Sequence, residues 1–203
     1  EIVNSDGMDD RRTIAEGLAT RDHFAKEGSF FVALQVNCTH HPGYSPPEIQ
    51  IWDESGGDRD ARYDNSIVYM DHLLGMLFER LDKTSLADST IVIFAADHGE
   101  DLDAVHKLHR TDSYYHTTIV VPVFFVAAER QRQRLGDGFV CLQSNAGVRT
   151  ALTDLVPAEL DLLELSGDAK IKRWLEQLDG RSQLRPVADD RLLVVVNTDE
   201  HVW

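Results

Sequence analysis

Three runs of apolar residues constrain the fold more than any other feature of this chain. They are FFVALQVNC at 30–38, TIVIFAA at 90–96 and IVVPVFFVA at 119–127. Each run is rich in β-branched or aromatic residues and has little polar alternation, which is typical of strands buried on both faces. Because Pro122 cannot donate a ladder hydrogen bond, we expect it at the start of a strand or on a sheet edge.

Helical patterns lie between these runs. Residues 9–27 predict a helix that Gly28 ends. A second, longer helix is predicted to end near Lys83, because apolar residues recur at steps of four and three and share one face. These residues are Tyr63, Ile67, Met70, Leu74, Leu77 and Leu81. Buried strands that alternate with helices predict an α/β fold, with a mainly parallel sheet and helices on both faces.

The C-terminal third has weaker patterns. We interpret FVCLQ as a short strand, and Ser144 or Asn145 as the cap of a helix that reaches Val156. AKIKRWLEQL predicts a short amphipathic helix, and RLLVVVN predicts a last strand. We expect residues 1–160 to form the α/β core and residues 161–203 to add a helix and a strand to the same domain.

Composition excludes several classes of partner. The 203 residues carry a formal net charge of −15, which argues against DNA, RNA or an anionic membrane as a partner. We expect no membrane-spanning segment in this chain, since no run approaches about 18 apolar residues. Cys38 and Cys141 form no CxxC motif and lie in apolar runs, so buried free thiols are expected.

Two of the predicted strands lead into loops that contain histidine. Ligands of open α/β sheets collect at the carboxyl ends of strands. The first run leads to His40, and the second leads to Asp97 and His98. A carboxylate beside an imidazole can present oxygen and nitrogen to one metal, a set that suits Zn²⁺ or Mn²⁺ better than Ca²⁺. The alternative is that Asp97 caps a following helix and His98 is an ordinary loop residue.

The order of these motifs resembles a known family. The chain reads FVALQVNCTHHPGYSPP, RYDNSIVYMDHLLGMLFERL, STIVIFAADHGED and LHRTDSYYHTTIVVPVFF, with LDGRSQL near the end. This succession is similar to the sulfatase and phosphoethanolamine-transferase branch of the alkaline phosphatase superfamily. The resemblance covers residues 29–127 closely and residues 140–197 loosely.

The resemblance implies an alkaline-phosphatase-like fold and a set of site residues. Asp97 and His98 match metal ligands of the family, and His109 matches a histidine that contacts metal or the anionic substrate. His106 competes with His109 for that position. His40 matches the loop histidine that contacts the phosphate or sulfate, or assists the leaving group. The implied cofactor is a divalent metal, with Zn or Mn favoured over Ca or Mg.

The resemblance also implies a function. We favour a metal-dependent hydrolase of sulfate or phosphate esters, with a small anionic ester as its substrate and an extracytoplasmic location. One alternative is a Zn-dependent phosphoethanolamine transferase, and another is a non-catalytic remnant or binding module. A nucleotide-binding domain lacks support, since the chain has no P-loop and no GxGxxG. Because no Cys/Ser-x-Pro-x-Arg motif precedes Phe30, we expect this chain to be the C-terminal portion of a catalytic domain, without its nucleophile.

Overall fold

A computed structural model describes residues 2–4, 7–102 and 115–193, which divide into a first unit, Glu1–Ala87, and a second, Asp88–Trp203. The first unit contains strands β1 (Ile2–Asn4) and β2 (Gly7–Met8) and helices α1 (Asp10–Phe24) and α2 (Arg59–Asp82). The second contains β3 (Ile91–Ala95), α3 (His116–Ile119), β4 (Val123–Ala127), α4 (Glu129–Leu135), α5 (Asp137–Asn145), α6 (Leu155–Leu162) and α7 (Ala169–Leu175). Single 3₁₀ turns at Ala87–Ser89 and Leu152–Asp154 precede β3 and α6. The predicted division at residue 160 stays a prediction.

Helix α1 confirms the first predicted helix. It begins after Asp9, whose carboxylate accepts a hydrogen bond from the N–H of Arg11 at 2.9 Å and so caps the helix. It passes close to the segment 30–37 at Gly17, where a Cβ would collide with the side chain of Leu34. A larger residue at this crossing would have to displace the Leu34 side chain.

The strand predicted at 30–38 is wrong. Residues 30–37 have no regular structure, and Phe31 is 57% exposed. The N–H of Asn37 donates to the carboxylate of Asp10, at 3.2 Å from Oδ1, rather than to a neighbouring strand. Because a strand is defined by its pairing, an apolar run that bonds to a side chain instead is not assigned as one.

Helix α2 confirms the second predicted helix, but its predicted buried face is correct only in part. Leu81 of the apolar stripe is buried, and Met70 and Leu77 pack against the core. Ile67 of the apolar stripe is 44% exposed, whereas Asn65, Ser66, Tyr69 and Leu73 are completely buried. The polar members of the buried face are satisfied by hydrogen bonds, as buried polar groups must be. Hydrophobic periodicity alone could not anticipate a face that carries Asn65 and Ser66.

The core of the first unit lies between α1, α2 and the end of the segment 30–37. Its fully or nearly fully buried members are Ile14, Leu18, Cys38, Tyr69 and Leu73. Several half-buried apolar side chains pack against them, including Tyr44 and Ile49 from the loop between the helices. This packing joins the loop that follows Cys38 to both helices.

Strands β3 and β4 form an antiparallel pair in the second unit. Ile91 pairs with Ala127, and the rings of Phe94 and Phe124 stack with centroids 4.7 Å apart. Pro122 directly precedes β4, which confirms the predicted place of the strand start. Both ladders among the described residues are antiparallel, so they do not confirm a mainly parallel sheet.

Two predictions for the C-terminal third are wrong. FVCLQ lies in helix α5, whose first turn closes when the N–H groups of Phe139 and Val140 donate to the carbonyl of Gly136. Helix α5 ends at Asn145, so this residue does not begin a helix to Val156. The buried Asn145 amide instead donates to the carbonyl of Gln183 at 2.8 Å. The buried Asn145 side chain thus joins the end of α5 to a distant segment.

The remaining C-terminal predictions have different outcomes. The first seven residues of AKIKRWLEQL form α7, with Asp168 as its cap, so the predicted helix is confirmed but ends at Leu175. Most of RLLVVVN lies outside the described residues, so the last strand stays a prediction.

The structure also bears on the expectations for the two cysteines and for a membrane-spanning segment. Cys38 is buried, Cys141 is half-buried, and both are free thiols. None of the helices in the described ranges is both long enough and apolar enough to cross a membrane.

Candidate functional site

Strand β3 leads into a turn, residues 97–99, that carries two of the predicted metal ligands. The ladder with β4 extends one residue beyond β3, since the N–H of Ala96 donates to the carbonyl of Pro122 at 3.4 Å. Asp97 Oδ1 then accepts a hydrogen bond from the N–H of His98 at 3.0 Å. Residues 98–102 form no helix, so the alternative in which Asp97 caps one is wrong.

The imidazole of His98 has a defined tautomer in this turn. Its Nδ1 lies 2.8 Å from the carbonyl oxygen of Gly99. Because a carbonyl can only accept, Nδ1 carries the proton, and the lone pair of the neutral ring lies on Nε2. This Nε2 is 3.7 Å from Asp97 Oδ2, and 86% of the Asp97 side chain is exposed. The turn therefore presents one carboxylate oxygen and one imidazole nitrogen side by side.

Gly99 fixes the position of the turn against α3. Its N–H donates to the carbonyl of Thr118 at 2.9 Å, and a Cβ on Gly99 would collide with the carbonyl oxygen of Thr117. Thr118 is itself buried. The residue after the candidate ligand pair must therefore be glycine for the turn to pack in this way.

The Asp97 and His98 donor atoms fit a divalent metal. Two ligands bound at about 2.0–2.1 Å in a tetrahedral zinc site lie about 3.4 Å apart. The observed separation of 3.7 Å needs only a small adjustment to reach that value. Across residues 2–4, 7–102 and 115–193, however, no three histidine, cysteine or acidic side chains lie together as a metal site requires. The pair can supply two ligands, and a complete site needs further ones.

The structure does not test where the other residues predicted for this site lie relative to Asp97 and His98. His109 and its competitor His106 lie outside the described residues, so their roles stay predictions. His40 belongs to the first unit, whereas Asp97 and His98 belong to the second. The structure therefore brings Asp97 and His98 together.

His40 lies in a tight loop, residues 38–44, which we call the His40 loop. The N–H of His40 donates to the carbonyl of Asn37 at 3.0 Å, and the N–H of Gly43 donates to the carbonyl of His40 at 2.7 Å. The His40 side chain is exposed, and its Nδ1 lies 3.0 Å from the carbonyl oxygen of His41. As at His98, this contact places the lone pair of the neutral ring on Nε2. A main-chain carbonyl thus sets the same tautomer at both candidate histidines.

The cysteine at the start of the His40 loop has a structural role. Cys38 is completely buried, and its Sγ lies 3.7 Å from the carbonyl oxygen of Ser66. Burial raises the pKa of its thiol to about 12. A thiol that resists ionisation in this way is a poor nucleophile.

Asn65 fixes the next part of the loop and was missed by sequence reasoning. Its Oδ1 accepts hydrogen bonds from the N–H groups of Ile51 and Trp52 at 2.8 and 3.0 Å. Its Nδ2 donates to the carbonyl of Trp52 and to Glu54 Oε1, both at 2.9 Å. The only signal in the sequence is an asparagine near the start of a long helix, which does not reveal such a role.

Asp9 and Asp10, at the start of α1, form hydrogen bonds within the first unit. Asp9 binds the Arg11 guanidinium at 2.9 Å, and this hydrogen bond lowers the pKa of the Asp9 carboxyl. Tyr69 Oη donates to the same carboxylate at 3.2 Å. Asp10 is 4% exposed, and burial raises the pKa of its carboxyl. Both acids are therefore held by contacts within the first unit.

Stretches of this chain are similar to stretches of known proteins. The proteins called "Putative transferase YhbX" in Escherichia coli K12 and O157:H7 are 36% identical to the chain over 86 residues. That stretch is 42% of this chain and 14% of each relative. The Kdo(2)-lipid A phosphoethanolamine 7''-transferase of Salmonella typhimurium is 44% identical over 50 residues, which is 24% of this chain and 8% of that protein. No solved structure matches the chain.

The family match covers a larger part of the chain than these relatives do. The family model described as Sulfatase matches residues 3–165, which include the His40 loop, β3 and the turn at Asp97. The motifs that suggested the family from the sequence lie largely within that range. The chain therefore belongs to the sulfatase family, within the alkaline phosphatase superfamily.

Proposed function

We propose that this chain forms part of the catalytic domain of a metal-dependent transferase that moves a phosphoethanolamine group between small or lipid-linked esters. One observation carries the metal dependence: Asp97 Oδ2 and His98 Nε2 lie 3.7 Å apart at the end of β3. The mainly parallel sheet expected from the sequence is part of the same proposal, and the family match supports it.

Asp97 and His98 are the proposed metal ligands, and His109 is the proposed third. A divalent cation supplies positive charge that offsets the charge developing on the oxygens of the transferred group. The exposed carboxylate of Asp97 neutralises part of that cation's charge, and His98 contributes a neutral nitrogen through Nε2. The hydrogen bond from His98 Nδ1 to the Gly99 carbonyl orients the ring for that contact.

His40 is the proposed acid–base residue. Its Nδ1 is bonded to the carbonyl of His41, so its exposed Nε2 is the atom that takes up or releases a proton. In its protonated form the ring can donate to an anionic oxygen of the substrate or to the leaving oxygen. The substrate class that fits this role is an anionic phosphate or sulfate ester.

The late LDGRSQL stretch, one of the motifs of the resemblance, is explained by packing in the second unit. A Cβ on Gly180 would collide with the carbonyl oxygen of Thr153. The N–H of Arg181 donates to Asp154 Oδ1 at 2.7 Å. Since these contacts account for the stretch by packing, it does not distinguish a hydrolase from a transferase. The names of the matched relatives then favour transfer.

A sulfate-ester hydrolase is the second candidate, because the family match is to the Sulfatase model. The two candidates differ in the fate of the transferred group. A transferase that takes phosphoethanolamine from phosphatidylethanolamine leaves diacylglycerol and a modified acceptor, whereas a hydrolase releases free sulfate from an aryl sulfate. Assays with labelled phosphatidylethanolamine and with an aryl sulfate separate them, and sulfate release without diacylglycerol would contradict the transferase.

Metal titration tests the proposed site. We expect Zn²⁺ or Mn²⁺ to bind the wild-type chain in calorimetry, and binding to be lost in the Asp97→Ala/His98→Ala double variant. The matched control is His23→Ala/Glu27→Ala, since that pair on α1 has a similar separation of 3.8 Å between Nε2 and Oε1 and is exposed. The control should bind metal as the wild type does. Equal affinity in the wild type and the Asp97/His98 variant would exclude this pair as the site.

A further inference from the structure

The His40 loop is tied to a buried acid at the start of α1. Asp10 is the first residue of α1, and its side chain is 4% exposed. Its Oδ1 and Oδ2 lie 3.2 and 3.3 Å from the main-chain nitrogen of Asn37, which donates to them. The carboxylate therefore holds the main chain three residues before His40.

The main chain that Asp10 holds is the base of the His40 loop. The N–H of His40 donates to the carbonyl of Asn37, and the N–H of Tyr44 donates to the carbonyl of Cys38 at 2.8 Å. These two hydrogen bonds close the loop onto two adjacent residues, Asn37 and Cys38. Any movement of Asn37 and Cys38 is passed directly to the main chain of His40.

A second connection joins the same loop to the same end of α1. The Tyr44 ring packs edge to face on Tyr69, with centroids 6.0 Å apart. Tyr69 Oη donates to Asp9 Oδ1 at 3.2 Å, and Tyr69 is completely buried. The two acids therefore hold the loop at two points, one through its main chain and one through an aromatic pair.

Asp10 is not needed to cap the helix. Asp9 already accepts the hydrogen bond from the N–H of Arg11. Burying a carboxylate is costly unless its hydrogen bonds compensate, although the N-terminal end of a helix favours negative charge. Burial raises the pKa of the Asp10 carboxyl, and hydrogen bonds from Asn37 and Cys38 oppose that shift. Burying the Asp10 carboxylate therefore costs free energy. The groups that offset this cost, Asn37 and Cys38, lie at the base of the His40 loop.

We infer that Asp10 is a positioning residue for His40. By holding the main chain before His40, Asp10 sets where the imidazole Nε2 meets an anionic substrate group. The inference rests on the proposed role of His40 as the residue that contacts the phosphate or sulfate. Asp10 acts through Asn37 and Cys38 and touches no substrate itself.

The test compares the His40 ring in the wild type and in Asp10→Asn. The amide removes the charge and one acceptor oxygen while keeping the size of the side chain. Long-range ¹H–¹⁵N spectra report which nitrogen of His40 is protonated. We expect the wild type to show the Nδ1–H form and Asp10→Asn to shift toward the mixture of a solvated imidazole. Binding of inorganic phosphate should weaken about tenfold in this variant, because a small displacement of a positioned group has large effects.

Glu16→Gln is the matched control, since Glu16 is an exposed acid on the same helix that pairs with Arg12. It should leave the His40 spectrum unchanged. If Asp10→Asn does not fold, Asp10→Glu decides, because it keeps the charge and moves the carboxylate relative to the N–H of Asn37. Asp10→Glu should then also shift the His40 signals from their wild-type positions. An unchanged His40 spectrum in the folded Asp10→Asn variant, or in Asp10→Glu if it must decide, would overturn the inference.

The two proposals fail in different ways. If no form of the chain binds phosphate while the His40 tautomer still depends on Asp10, the proposed role of His40 is wrong and the positioning role stands. If phosphate binds the wild type and Asp10→Asn equally and the tautomer does not change, the positioning role is wrong.

Discussion

Asp154, which is completely excluded from solvent, forms an ion pair with Arg191 at 2.7 Å between Oδ2 and Nη1. The same carboxylate accepts hydrogen bonds from the N–H groups of Ala151 at 2.8 Å and Arg181 at 2.7 Å. One side chain thus joins the turn before α6 to two segments near the C-terminus.

We expect Arg191→Met to destabilise the protein by about 3 kcal/mol, because removing one partner leaves an uncompensated buried charge. The Arg191 side chain is only 15% exposed, so water cannot replace it fully. Urea unfolding followed by circular dichroism measures the change.

Arg134→Met is the matched control. Arg134 pairs with Glu164 at 2.6 Å, but the Glu164 side chain is 75% exposed. An exposed pair contributes about 1 kcal/mol or less, so the control should unfold close to the wild type. Equal losses in the two variants would show that burial does not set the strength of the Asp154 pair.

Gly99→Ala tests the turn that carries the candidate metal ligands. The new Cβ meets the Thr117 carbonyl, so the turn must shift away from α3. We expect the affinity for Zn²⁺ to fall about tenfold, since displaced ligands no longer match the metal's geometry. Calorimetric titration measures the change.

Gly147→Ala controls for the loss of a glycine in the same unit, because its Cβ would meet no atom within 4 Å. It should bind metal as the wild type does. Unchanged Zn²⁺ affinity in Gly99→Ala would show that the turn tolerates the shift.

Helices with strong patterns could be predicted from the sequence, but the buried face of α2 could be predicted only in part. The extent of α2 follows from its apolar spacing, because helix formation depends on residues close in sequence. Its buried face includes Asn65, whose partners lie up to 14 residues away in a loop, and Ser66, whose carbonyl contacts Cys38, 28 residues away. The segment 30–37 shows the same limit, since its N–H at Asn37 bonds to Asp10, 27 residues away.

The candidate site also has a part that could be predicted from the sequence and a part that could not. Asp97 and His98 could be predicted because adjacent residues at a strand end need no tertiary information to lie together. The support for His40 could not be predicted, because it comes from Asp10 and Tyr69 on two different helices. The proximity of adjacent candidate residues can thus be predicted from a motif, whereas contacts between distant segments depend on packing.

Acid should weaken the second unit through Asp161. Burial acts to raise the pKa of this carboxyl, but hydrogen bonds from Arg185, Ser166 and Ser182 outweigh it and lower the pKa to about 2. Because the pKa is lower in the folded state, Asp161 stabilises it above about pH 4. This contribution is lost as the pH falls from about 4 to about 2.

We expect Asp161→Asn to lower the free energy of unfolding by about 1 to 2 kcal/mol at pH 7, a value reduced because Arg185 is exposed to solvent. The loss of stability between about pH 4 and about pH 2 should also be smaller in this variant. Thermal unfolding at a series of pH values measures this. Asp179→Asn, which removes an exposed carboxyl from the same unit, should keep the wild-type decline. An equally steep decline in Asp161→Asn would contradict the assignment.

The buried face of α2 predicts a difference between two apolar truncations on one helix. Leu73 is completely buried in the core of the first unit, whereas Ile67 belongs to the stripe expected from periodicity and is 44% exposed. We expect Leu73→Ala to cost about 3 kcal/mol, because it removes packed atoms and leaves a cavity. Ile67→Ala should cost about 1 kcal/mol or less, since its side chain already contacts water. Urea unfolding followed by circular dichroism reports both values. A larger loss for Ile67→Ala than for Leu73→Ala would instead make the periodic stripe the buried face of the helix.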